Sequence, residues 1–428
     1  MSGSDFNPYA AAQAQLDRAS ELLGLDPGIA ALLREPMSEI AVRLPVRMDN
    51  GAGELFRGYR VHHNDALGPS QGGIRFHPTA GPDIFRAKAM WTTWRCALVE
   101  VPLGGASGGV VCDPHGLSAT EIEKLCRGWV RALARWLGPE VDVPEPDLAT
   151  NPQHMLWMLD EYEMIVMGRR PGAFTGKPVG MGGSLGRQEA AGYGVGFAVR
   201  EALKQIGLHP DKARASIQGF GSVGRNAATL LSQLGVEVAC VATWDPNEHR
   251  SLAFTREGGV DPAELGSITD AAGTVDPVRA AERGYSVLDG EAWLTQPVDV
   301  LIPAALEQAI SASQADTLPQ RVRIIAEGAD GATAPAADAT LTSHGVMVIP
   351  GFLANAGGVT CSYFEQVQSA MNLYWQKEEV LARLDRVMTQ AFAAVSDTAR
   401  KRALSLRDAA HVIAVSRVAA ACRGRGWV

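Results

Sequence analysis

Apolar residues recur at helical spacing from about residue 10 to 35, where Ala, Leu and Ile fall three and four positions apart. Glu39 to Val46 and Glu54 to His62 alternate instead, as half-buried strands do, with Asp49-Asn-Gly51 as the turn between them. Asp83 to Trp94 returns to helical spacing. Cys96 to Val101 is a short apolar run of strand character that leads into a glycine-rich loop, Val101-Pro-Leu-Gly-Gly-Ala-Ser-Gly-Gly109. Ala119 to Leu137 is an amphipathic helix with an N-cap in Leu117-Ser-Ala-Thr-Glu121 and a stop at Gly138-Pro139. Asn151 to Val166 is a further helix.

Near Gly182 the pattern changes. Glu189 to Ile206 is a helix rich in Ala and Gly. Ala213 to Gln218 is a short strand that runs into Gly219-Phe-Gly-Ser-Val-Gly224, and Arg225 to Leu234 continues as helix. Val236 to Ala242, Val298 to Ile302, Val322 to Ala326 and Val346 to Ile349 are short apolar strands bounded by turn residues. Strands alternating with helices mean βαβ units and a parallel sheet. Gly357 to about Cys422 is helical. The expected class is α/β with two domains: residues 1–185, then a Rossmann-type dinucleotide-binding domain over 186–355. A helical segment, 356–428, is expected to return to the first domain. A ligand cleft is expected between the two domains.

Composition narrows the function. The chain has 428 residues, 46% hydrophobic and 20% charged, with a net charge of −8. That balance argues against a general nucleic-acid or anionic-membrane surface. No apolar run approaches the ~20 residues that span a bilayer, and the N-terminus lacks a basic stretch followed by an apolar one. Six scattered cysteines with no Cys-x-x-Cys pair give no metal site and suit a reducing cytoplasm as free buried thiols.

Gly219-x-Gly-x-x-Gly224 has a strand before it and a helix after it, the context in which such glycines let a pyrophosphate approach a helix N-terminus. The acidic ribose partner belongs about 20 residues on, at the end of the next strand. There the chain reads Val241-Ala-Thr-Trp-Asp245, and gap-free counting puts Thr243, not Asp245, at that position. The choice between NAD and NADP stays open.

The glycine-rich loop around Ser107 resembles the Gly-Gly-Gly-Lys-Gly-Gly segment of the glutamate/leucine/phenylalanine/valine dehydrogenases. The resemblance runs from about residue 40 to 420 through Gly58-Tyr-Arg-Val-His-His-Asn64, Gly72-Gly-Ile-Arg-Phe-His-Pro78, Asp142-Val-Pro-Glu-Pro-Asp147 and Thr175-Gly-Lys-Pro178. It continues through Gly182-Gly-Ser-Leu-Gly-Arg187, Gln218-Gly-Phe-Gly-Ser-Val-Gly224, Pro303-Ala-Ala-Leu-Glu307, Ala326-Glu-Gly-Ala329 and Ala354-Asn-Ala-Gly-Gly-Val-Thr360. It implies the reversible oxidative deamination of an amino acid with NAD(P).

The resemblance also implies roles. The family's proton-shuttling carboxylate falls on Asp147. Its catalytic lysine falls on Ser107. The lysine for the substrate α-carboxylate falls on Arg95, in Thr93-Trp-Arg-Cys96, and the one for the glutamate side chain on Gln71. Gly72, Gly73 and Ser362 complete the substrate set. Arg187, Gly219, Gly221, Ser222, Val223, Gly224, Asp245, Ala304, Ala305, Asp330 and Asn355 form the cofactor set. Asp330 stands where the family has Asn; Thr243 and Ala191 stand in place of family contacts, so NAD or NADP is expected to bind weakly; no metal is expected.

A neutral serine hydroxyl cannot replace a tuned amine, whose acid–base help is worth about 10²–10⁴-fold. The chain therefore reads as a glutamate dehydrogenase-like protein impaired in catalysis. It would act as the regulatory subunit of a hetero-oligomer, most simply a hexamer, with a homologous catalytic subunit or itself as partner. An amino acid or nucleotide would be the effector. The alternative is an active NAD(P)-dependent amino-acid dehydrogenase with an atypical site. Lys177 and Lys88 are its nearest spare lysines; Lys88 lies seven residues before Arg95, two turns away on the same helix face. Asp147 has a plainer role open to it as well, capping a helix from Leu148 onward.

Overall fold

The computed structural model describes residues 7–246, 248–270 and 273–428. The chain divides into two compact units. One comprises 1–187, 359–380 and 411–428, the other 188–358 and 381–410. The C-terminal helical segment is thus shared between the units: residues 381–410 group with the second rather than the first, a correction to the single return expected.

The first unit is built on a five-stranded sheet: β1 (Ser38–Arg47), β2 (Gly53–Asn64), β3 (Ser70–Phe76), β4 (Gly104–Val111) and β5 (Asp142–Pro146), in the order β1-β2-β4-β3-β5. β1 and β2 form the expected hairpin. β3 runs parallel to both β4 and β5. Ala119–Leu133 covers one face, burying Leu125, Cys126 and Trp129 against Phe56, Phe76 and Val110. The anticipated N-cap is Ser118, and it forms a full capping box: Ser118 Oγ accepts from the Glu121 amide, and Glu121 accepts from the Ser118 amide at 2.8 Å. The single helix expected over 10–35 is two, Pro8–Leu23 and Pro27–Arg34, because Gly24 closes the first in a left-handed cap and Asp26-Pro27 opens the second.

The main correction concerns Cys96 to Gly109. Cys96–Leu98 ends the helix Pro82–Leu98, and the glycine-rich segment is not a loop but the central strand β4. The helix lies directly on that strand. A Cβ on Gly105 would stand 2.3 Å from Ala89 O and Thr93 N, so only glycine lets the two backbones approach.

The second unit holds a seven-stranded sheet: β6 (Arg214–Gln218), β7 (Glu237–Asp245), β8 (Arg250–Thr255), β9 (Ser286–Asp289), β10 (Val300–Pro303), β11 (Ile324–Ala326) and β12 (Met347–Ile349). The order is β12-β11-β10-β6-β7-β8-β9, and the run from β12 to β7 is parallel, as the alternating pattern predicts. The antiparallel edge, β8 and β9, is additional. All six cysteines are buried free thiols. Among the described residues no helix is long and apolar enough to cross a membrane.

Candidate functional site

In the first unit the site grows out of strand register. Gln71 lies opposite Gly105 and Ile74 opposite Gly108, which sets Gly73 beside Ser107. Val61 of β2 lies opposite Ser107 and packs with Phe85 and Ala89 of helix Pro82–Leu98. Side chains alternate across a sheet, so Gln71, Gly73 and Ser107 share the face that this helix covers. Gly73 has a job there: a Cβ would lie 2.5 Å from Asp147 Cβ, so the bare backbone lets the Asp147 side chain settle on the strand.

Asp147 accepts a hydrogen bond from Arg75 Nε at 3.1 Å. Burial works against its charge, but the positive charges of Lys88 and Arg75 and hydrogen bonds from Arg75 and the Leu148 amide outweigh it. The carboxyl is held below its usual range. It does not cap the next helix; Asn151 does, accepting from the Gln153 and His154 amides ahead of Pro152–Val166.

Gln71 is fully buried. Its Nε2 donates to Ser362 Oγ, which also shares a hydrogen bond with Thr175 Oγ1, while Gln71 Oε1 has no partner among the described residues. Ser107 is likewise buried with an unpartnered hydroxyl. Arg95 sits in the last turn of helix Pro82–Leu98. Arg187 donates to Glu145 at 2.8 Å.

Lys177 is committed elsewhere. Its buried ammonium donates to Phe174 O at 2.6 Å and Glu365 Oε1 at 2.7 Å. Burial pushes it below its ordinary range while Glu365 pulls the other way. Glu365 also accepts from the Gly176, Lys177 and Ser184 amides, so the pair ties the Thr175-Gly-Lys-Pro178 turn to helix Gly357–Met371.

In the second unit the expected cofactor residues gather at the carboxyl ends of β6, β10 and β11. The chain reverses direction across the sheet between β6 and β10, where open α/β sheets bind ligands. Gly219 takes φ +89° and donates to Ala242 O at 2.7 Å. Its missing Cβ would stand 2.9 Å from both Ala304 O and Ala305 Cβ. Gly224 lies so close to Gly219 that a Cβ would fall 1.9 Å from Gly219 O, while the Cβ position of Gly221 faces open space at the start of helix Ser222–Gln233. Val223 packs near Gly328, and Ser222 Oγ donates to Gln188 O. Asn355 Nδ2 donates to Asp330 Oδ1 at 2.8 Å, and its Oδ1 is buried without a partner.

That cradle fits a dinucleotide pyrophosphate; the ribose end fits less well. Thr243, one residue past the last β6–β7 pair, turns its buried hydroxyl toward the Val275 amide. Asp245 is carried two residues further along the β7–β8 hairpin, where it accepts from the Glu248 amide.

Residues 182–426 match the family model of the glutamate/leucine/phenylalanine/valine dehydrogenases, and residues 36–164 match the model of their dimerisation domain. The chain belongs to this dehydrogenase family. The NAD-specific glutamate dehydrogenase of Clostridioides difficile is 39% identical over 427 residues, covering 100% of both chains. The crystal structure of glutamate dehydrogenase from Peptoniphilus asaccharolyticus superposes with a TM-score of 0.87 at 38% identity, covering 99% of this chain and 100% of that one. The Leu-bound hetero-hexameric glutamate dehydrogenase of Thermus thermophilus gives 0.90 at 33% identity, covering 100% and 99%.

Within this dehydrogenase fold, Gln71, Gly72, Gly73, Ser107, Asp147 and Ser362 come together in the first unit. Gly219, Gly221, Ser222, Val223, Gly224, Ala304, Ala305, Asp330 and Asn355 come together in the second. The motifs did not single out Arg75, although Gly72-Gly-Ile-Arg-Phe contains it. Its spacing of two from Gly73 was the available signal, since it puts both on one face.

Proposed function

We propose that this chain is a glutamate dehydrogenase-like subunit that does not turn over amino acids on its own and modulates a homologous catalytic subunit within a mixed hexamer. The carrying observation is Ser107: a buried hydroxyl without a hydrogen-bond partner among the described residues, level with Gly73 in the strand register, at the motif position of the family's lysine. No described residue hydrogen-bonds that hydroxyl, Asp147 included, and a hydroxyl that no base engages does not move protons at neutral pH. Asp147, flanked by two cations, stays ionised and offers a counter-charge for an ammonium group.

When bound, a nicotinamide dinucleotide supplies the hydride acceptor of this family's chemistry. In this chain the Gly219–Gly224 turn would receive its pyrophosphate and Asn355 its amide end. The displaced Asp245 and the Asp330 carboxylate make that binding weak. The mixed assembly rests on the hetero-hexameric Thermus relative.

One observation favours a second reading, an active dehydrogenase: the charge of Lys88 reaches Asp147. The two separate in one experiment. The purified chain is assayed for NAD(P)H formation with glutamate, leucine, valine and phenylalanine, then again as Ser107→Lys, with and without Arg95→Lys and Gln71→Lys. The subunit assignment requires no turnover by the unaltered chain and a gain of at least about 10²-fold on restoring the amine. Robust turnover by the unaltered chain refutes it.

A further inference from the structure

Lys88 is a cation the family motifs do not account for. It projects from helix Pro82–Leu98, the helix that covers the sheet face of Gln71, Gly73 and Ser107. Lys88, Thr92 and Arg95 follow one another at spacings of four and three, which aligns them in one stripe along that helix. Thr92 is buried and donates to Lys88 O at 2.7 Å, which points its hydroxyl back along the helix. Lys88 itself is half-buried, and among the described residues no hydrogen bond or ion pair holds its ammonium. Asp147 lies against Gly73 on the sheet face that this helix covers, and the positive charge of Lys88 helps hold its carboxyl below the usual range. On the same face the sheet presents two buried polar atoms with no partner among the described residues, Ser107 Oγ and Gln71 Oε1.

The site therefore combines one carboxylate, an unengaged ammonium and, at Gln71, a neutral amide where a second cation would serve an acidic side chain. We propose that Lys88 is a ligand-binding residue of this chain: it grips the carboxylate of a free α-amino acid whose ammonium rests on Asp147 and whose side chain is uncharged. The preference for an uncharged side chain follows from Gln71. It is a neutral amide with one N–H engaged by Ser362 and its Oε1 left as an acceptor among the described residues, so it offers a second carboxylate no cation. Arg75 is bonded to Asp147 and keeps that carboxylate ionised for the incoming ammonium. The assignment rests on the non-catalytic reading above, because the ligand is held rather than consumed.

Calorimetric titration of the full-length chain with L-leucine, L-glutamine and L-glutamate tests it, each in the unaltered protein, in Lys88→Met and in Lys88→Arg. A hydrogen bond to a charged group is worth about 1.5–3 kcal/mol, and about 1.4 kcal/mol is tenfold in affinity. Lys88→Met should therefore weaken leucine or glutamine at least about tenfold. Lys88→Arg should retain most of the affinity, and glutamate should bind more weakly than either. Equal affinity in Lys88→Met, tighter binding of glutamate, or no heat with any of the three overturns the proposal. Turnover by the unaltered chain, read separately as NAD(P)H absorbance, would defeat the non-catalytic reading while leaving the binding role of Lys88 to the titration. Turnover that Lys88→Met abolishes with binding unchanged would make Lys88 the base and overturn the binding role.

Discussion

Arg60→Met should unfold the first unit well before it disturbs the second. Arg60 and Asp142 are both fully buried, and their contact joins β2 to β5 across the sheet. The guanidinium donates twice to the carboxylate, from Nε at 2.7 Å and from its terminal nitrogen at 2.5 Å. It also reaches the Gly72 and Gly73 carbonyls at 3.1 and 3.3 Å. His62 Nε2 adds a third contact to Asp142 at 2.9 Å. Burial opposes the charge on Asp142, yet Arg60 and His62 hold it below the ordinary carboxylate range. Methionine fills much of the volume but leaves that carboxylate buried with His62 alone. Breaking a buried ion pair from one side costs about 3–5 kcal/mol, because the remaining charge is uncompensated. In a unit of roughly two hundred residues, each kcal/mol moves Tm by about 2–4 °C, so the first transition should fall by about 6–20 °C. Scanning calorimetry of the full chain reads this directly. Arg60→Met/Asp142→Leu should recover much of the loss, since the stranded charge goes with its partner. A drop under about 2 °C in the single variant, or a double variant no better than the single one, would refute the reasoning.

Two further outcomes follow from the geometry. His63 is buried between Thr93 Oγ1 and Leu33 O, and burial pulls its pKa from 6.5 to about 4. The unfolded chain takes up that proton below pH 6.5 and the folded chain only near 4. The stability it contributes is therefore complete above 6.5 and lost between 6.5 and 4, about 3 kcal/mol in all at ~1.4 kcal/mol per unit. Urea midpoints across that range should show the decline and His63→Gln should lack it; coincident profiles would contradict the assignment. Gly224→Ala forces a Cβ to 1.9 Å from Gly219 O, so the second unit should lose about 1–3 kcal/mol while the first is unaffected. An unshifted second transition would show that the turn tolerates the side chain.

The fold was legible wherever a local signal stood alone. The parallel strands of the second sheet, the Ser118 N-cap and the β1–β2 hairpin each follow from a few neighbouring residues. The glycine-rich stretch at 104–109 was not, because glycine has two meanings. Locally it signals a loop; here it permits a helix backbone to lie on a central strand, and the atoms that require it, Ala89 O and Thr93 N, are distant in sequence. The β8 and β9 edge was missed for a related reason, since antiparallel pairing is settled by partners and not by a short strand's own pattern.

Sequence alone determined the family, the glycine turn that follows β6 and the serine at position 107, because each resides in contiguous residues. Only the tertiary structure decided what surrounds that serine. It directs Lys177 to Glu365, brings Asp147 under the charge of Lys88, and sets Arg60 beneath the Gly72–Gly73 backbone. It also splits the C-terminal helices between the two units. Electrostatic fields and close approaches act through space and fall off with distance, so residues 74 apart in the chain, such as Gly73 and Asp147, become neighbours only once strand register is set.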